Sequence, residues 1–121
     1  MFMPVSLPAA DIPAAPQNLR TSDVRSDGVT LDWSKSRSDG GAPVTSYIVE
    51  RRETSSNYWA PAGVAEGTRC NVIGLRPGTE YQFRVFAENE MGVSEPCTLA
   101  VPIRLLGETG TTFLLTVWSS G

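Results

Sequence analysis

Residues 80–88 alternate without a break: Tyr81, Phe83, Val85 and Ala87 stand against Gln82, Arg84, Phe86 and Glu88. A period of two sends successive side chains to opposite faces of an extended chain, so this segment predicts a β-strand with one face in a core. The same period recurs along the chain. Val29, Leu31 and Trp33 share a face in Gly28–Trp33, Tyr47 and Val49 in Thr45–Arg52, and Cys70 and Val72 in Thr68–Ile73. Tyr58–Val64 reads as a shorter strand that Pro61 restricts to a sheet edge. Leu19–Val24 supplies a first strand and a stretch near Thr98–Ile103 a last one. Between them lie turn clusters: SKSRSDGGAP over 34–43, Ser55–Asn57, the Leu75–Thr79 corner and a loop holding Gly92. Gly40 and Gly41 suit a tight reversal that needs positive φ. No helical period competes with this pattern.

Short alternating strands with frequent turns predict an all-β fold, a seven-stranded antiparallel β-sandwich of the immunoglobulin-like kind. The inward set is Leu31, Trp33, Tyr47, Val49, Val72, Leu75, Tyr81, Phe83 and Val85, with Leu19 beside them. A chain of 121 residues, 40% of them hydrophobic, has apolar material for one such core. Residues 1–17, with Pro4, Pro8, Pro13 and Pro16, read as an extended lead-in. The division expected is a linker over 1–10, the domain over 11–103 and a tail over 104–121. The apolar stretch Phe113–Trp118 in that tail is expected to hang free or, as the alternative, to pair with an exposed sheet edge of its own or another molecule.

The formal net charge is -3 and the pI about 4.9, which speaks against nucleic acid as a partner. Arg51 and Arg52, the largest basic cluster, are flanked by Glu50 and Glu53 and read as a solvated strand face. Met1–Ala10 lacks a basic n-region and no apolar run is long enough to span a bilayer, so no signal peptide, membrane span or membrane partner is expected. The chain has no histidine, which removes His-based acid–base chemistry, serine–histidine triads and His-ligated zinc. Asp39, Glu90 and Glu95 are too scattered for a calcium cage. Gly107–Gly110 lacks the Lys-Ser/Thr ending of a phosphate loop. No enzyme activity, cofactor or metal is expected. Cys70 reads as a buried core thiol and Cys97 as a partly exposed bystander, with no disulfide between them. Two cysteines and no N-x-S/T sequon lean toward a reducing, intracellular setting.

The residues in order, Pro16, Leu31–Trp33, Tyr47, Leu75–Pro77, Tyr81, Phe83, Val85, Ala87, Asn89, Gly92 and Ser94, resemble a fibronectin type III domain over roughly residues 11–103. The resemblance implies that Trp33 packs between two sheets and that Tyr81 makes a tyrosine corner, its hydroxyl bonding back across the Leu75–Thr79 turn. A narrower likeness, to the titin and twitchin branch, rests on Ser38–Val44, Tyr47–Arg52, Trp59 and Phe83–Asn89. Ser36 departs from that branch, which usually carries Pro there, and implies a looser loop. The resemblance implies a non-catalytic structural and protein-binding module, one of a tandem array in a cytoplasmic, sarcomeric muscle protein. The partners implied are neighbouring immunoglobulin or fibronectin domains and myosin or actin filaments, with the isolated domain a monomer. The alternative is a module of an extracellular adhesion receptor. The surface expected to bind comprises Arg51, Arg52, Arg84 and Phe86 on one side of the sandwich, with Asp39, Gly40, Gly41, Asn89 and Gly92 at its ends. Binding is expected to use this surface rather than a pocket.

Overall fold

The computed structural model describes residues 9–107. Its strands are β1 (Gln17–Ser22), β2 (Val29–Ser34), β3 (Ser46–Glu53), β4 (Ala60–Ala65), β5 (Arg69–Val72), β6 (Glu80–Asn89), β7 (Gly92–Val93), β8 (Cys97–Thr98) and β9 (Ile103–Arg104). They form two antiparallel sheets. One is ordered β1-β2-β5, and the other runs β4-β3-β6, with β7, β8 and β9 paired in turn along β6. The architecture is an all-β sandwich with its core between the sheets.

Alternation builds that core directly. In β2, Val29, Leu31 and Trp33 face in while Thr30, Asp32 and Ser34 face out. In β6, Tyr81, Phe83, Val85, Ala87 and Asn89 face in along the whole strand. Trp33 is 2% exposed and meets Tyr47 edge-on, with ring centroids 5.5 Å apart. Such a tilted pair adds about 0.5–1.5 kcal/mol to what area burial provides. Leu31, Val49, Val72, Leu75, Tyr81, Phe83 and Val85 fill the space around them. Tyr81 closes one end: its hydroxyl oxygen accepts the backbone N–H of Arg76 at 3.0 Å, the corner hydrogen bond implied by the resemblance.

The structure departs from the sequence reading in several places. The last strand is three two-residue pieces on β6 rather than one run over 98–103, and Gly92 lies in a strand rather than a loop. Pro96 and Pro102 lack the N–H that a continuous ladder needs. The folded unit also continues past Ile103. Leu105 is 2% exposed in the core, its N–H donates to Thr79, and that of Leu106 donates to Arg25. The edge strand starts at Ala60, leaving Tyr58 71% exposed. The thiols are less unequal than expected. Cys70 and Cys97 are both half-buried against the core, and both are free. Phe113–Trp118 lies outside the described residues.

Candidate functional site

Two regions carry the candidate residues: the outward face of the β4-β3-β6 sheet and the pole where the chain enters. On the face, cross-strand register decides what meets what. Ile48 stands between Val64 and Phe86, and Glu50 between Pro61 and Arg84. The Arg84 guanidinium bonds the Glu50 carboxylate through Nε (2.8 Å) and Nη2 (2.7 Å). It also packs against two rings, 4.1 Å from the centroid of Trp59 and 5.1 Å from that of Phe86. Arg52 reaches within 5.3 Å of the same Trp59 ring and donates to the Ser56 carbonyl at 2.8 Å. A cation over an aromatic face is held by the ring quadrupole. Val64, 68% exposed, extends the patch toward the sheet edge.

Arg51 does not belong with this group. It sits opposite Phe83 and shares the inward parity of Tyr47 and Val49, since adjacent residues in a strand point to opposite faces. It donates to the Pro61 carbonyl instead. Arg51, Arg52, Arg84 and Phe86 are therefore not on one side. Trp59 takes the place that Arg51 was expected to fill.

At the pole, Gly40 and Gly41 have φ of 80° and 93°, conformations in which a Cβ is strained. Gly40 has a second reason to be glycine. A Cβ there would run into the carbonyl oxygens of Asp11 and Ile12. Asp39 is exposed and caps the reversal, its Oδ1 accepting the Gly41 N–H at 2.8 Å. Asn89, expected on the surface, is 3% exposed and buried under these loops. Ser94 is buried beside it, and its hydroxyl accepts the Ala87 N–H at 2.9 Å and donates to the Glu95 carbonyl. The signal for Asn89 was present: it continues the inward parity of Ala87 by one more period.

The pole is not smooth. A half-open crevice of about 780 Å³ runs between residues 35–44 and the Glu66–Thr68 turn, with Tyr47 among its lining residues. The expectation that no pocket is present therefore does not hold at this end of the sandwich. Ser36 lines the crevice, its hydroxyl oxygen buried without a protein partner.

The other sheet presents a different outward face. Asp32 stands between Arg20 and Arg69, and Thr30 between Ser22 and Asn71. Arg69 Nε donates to Asp32 at 2.7 Å, and this bond holds the Asp32 carboxyl below its ordinary range, against a smaller opposing push from burial. Burial alone pushes the Cys70 thiol and the Tyr47 phenol up. Among the described residues, no cluster of three or more His, Cys, Asp or Glu side chains is placed to hold a metal ion. Among the described residues, no helix is long and apolar enough to cross a membrane.

Comparison with known proteins agrees with this architecture. Residues 14–101 match the fibronectin type III domain. The chain is 37% identical over 95 residues to a titin homolog of Caenorhabditis elegans, covering 77% of this chain and a share of that protein that rounds to 0%. It is 33% identical over 110 residues to the cardiac-type myosin-binding protein C of Gallus gallus, covering 90% of this chain and 9% of the relative. Among solved structures, domains A168–A170 of titin superpose with a TM-score of 0.76 at 43% identity, over 82% of this chain and 34% of that one. The chain thus spans only a small part of the length of these relatives, and it belongs to the fibronectin type III family.

Proposed function

We propose that this chain supplies a non-catalytic spacing and protein-binding module, one link of a tandem array in an intracellular, titin-like muscle protein. The observation that carries the reading is the kinship itself. The relatives are titin-type and myosin-binding proteins of which the chain matches one small segment. The topology suits a link in series, because the chain enters beside the β2–β3 loop and leaves beside the β5–β6 corner at the opposite pole. Neighbouring modules of the parent chain are the first partners. A myosin filament is the second, bound through the Trp59–Arg84–Phe86 face. That face joins aromatic area to guanidinium groups, the composition enriched where proteins bind each other.

One site of this size binds weakly, and repetition provides avidity. A tandem of three copies should co-sediment with myosin filaments at least tenfold more tightly than one copy. Trp59→Ala in every copy should abolish the gain. Equal binding by one copy and by three, or a gain untouched by the substitution, would overturn the proposal.

A further inference from the structure

Asn89 is polar at the end of an inward-facing row and is 3% exposed, a placement that costs stability unless its amide is fully bonded. It is fully bonded. The amide N–H groups are shared among the carbonyls of Asp11 (2.8 Å), Asp39 (2.7 Å) and Ala42 (3.3 Å). The amide oxygen accepts the N–H groups of Met91 (2.8 Å) and Gly92 (3.2 Å). One side chain therefore ties three separate stretches together: the incoming chain, the β2–β3 loop and the β6–β7 turn. Backbone bonds reinforce the same seam, with Asp11 N–H donating to Gly40 at 2.8 Å and Ala14 N–H to Ser38 at 2.9 Å. Gly40 allows the close approach, and the Ile12 side chain lies against Gly92.

We propose that Asn89 is a latch that fixes the direction in which the chain enters the sandwich. Residues 11–14 precede β1 and belong to no sheet, so without Asn89 only the backbone bonds of Asp11 and Ala14 and the burial of Pro13 hold them. With it, they are part of the rigid body, and the pivot of anything upstream moves to before Asp11. Aiming a preceding module at the crevice of this pole is the use that follows if the tandem reading holds; the latch itself does not depend on that reading.

The test uses the full chain carrying Asn89→Asp. This variant keeps oxygen acceptors for Met91 and Gly92 but replaces the amide donors with a carboxylate facing three carbonyls. In the unaltered chain, backbone order parameters at Asp11, Ile12 and Ala14 should be near about 0.85, falling below about 0.6 in the variant. Amide exchange at Asp11 and Ala14 should accelerate by about tenfold or more, while Met91 and Gly92 keep their protection. Gly40→Ala attacks the seam from the other side with Asn89 intact and should free the same residues; it decides the matter if Asn89→Asp does not fold. The proposal fails if residues 11–14 stay ordered in a folded Asn89→Asp variant or, should that variant not fold, in Gly40→Ala. It also fails if the Phe83 and Val85 amides accelerate as much as that of Asp11, which is the signature of a general loss of stability.

Discussion

The two outward faces of the sandwich are built by the same alternation over the same core, yet they differ in chemistry. On the β1-β2-β5 sheet, polar and charged side chains bond one another across the strands: Asp32 accepts from Ser22 and Arg69, and Thr30 donates to Asn71. On the β4-β3-β6 sheet, Arg84 is flanked by Trp59 and Phe86 and continues into exposed Val64. The first is a wall whose polar groups already bond one another. The second leaves apolar area beside immobilised charge, with less left to lose on meeting a partner. The difference teaches that alternation decides which residues face out, while cross-strand register decides whether those residues form an adhesive patch.

The comparison assumes that both faces rest on one core. Trp33→Ala should cost about 3–5 kcal/mol in denaturant unfolding, a large part of a domain's stability, and should loosen both faces together. A loss near about 1 kcal/mol would mean that each sheet holds its own face. Next in size, Trp59→Ala should cost about 1–2 kcal/mol through the lost packing of Arg84 and Arg52, with amide protection reduced in β3 and β6 and unchanged in β1 and β2. Equal loss in both sheets would dissolve the distinction.

The smallest effect belongs to the polar wall. Because Asp32 titrates below its ordinary range when folded, the unfolded chain takes up its proton more readily. The contribution is present above about pH 4, the unfolded value, and is lost as pH falls through the lower folded one. Asp32→Asn should therefore flatten the stability curve below about pH 4 and leave its shape near neutrality unaltered. An acid limb unchanged by Asp32→Asn would show that the row contributes no linked stability, as many exposed ion pairs do not.

The fold class was legible because strand periodicity is local: the alternation from Tyr81 to Ala87 needs only its own neighbours to be read. Contacts between distant segments were less so. Trp59 meets Arg84 after β4 carries a register shift opposite Val49 and Glu50; Pro61 and Gly63 flank that shift as bulge-marking residues, but they do not say which partner Trp59 then meets. Leu105 continues the inward parity of Ile103, but the pairing lapses between β8 and β9, so neither could be extrapolated from the strands before that break. Arg51 was misplaced by treating two adjacent arginines as one charge cluster, although the period of two separates them. Asn89 was misread for the opposite reason. Its parity pointed inward, but its polarity suggested surface until the three carbonyls it binds were brought together by the fold.

The broken final strand has a mechanical consequence. Between β7 and β9 the chain holds β6 through short pieces, with Leu99 bonded to Phe83 between two of them. Tension drawn along the C-terminal end would act on these pieces in shear. It would reach them unevenly, because the unpaired residues between pieces can stretch before the next piece is loaded. The bonds of Leu105 and Leu106 would yield first, then β9, then β8, each release lengthening the chain by a few residues while β3 and β6 stay paired. An end built this way would give up short lengths of chain under load before the β3–β6 pairing is reached.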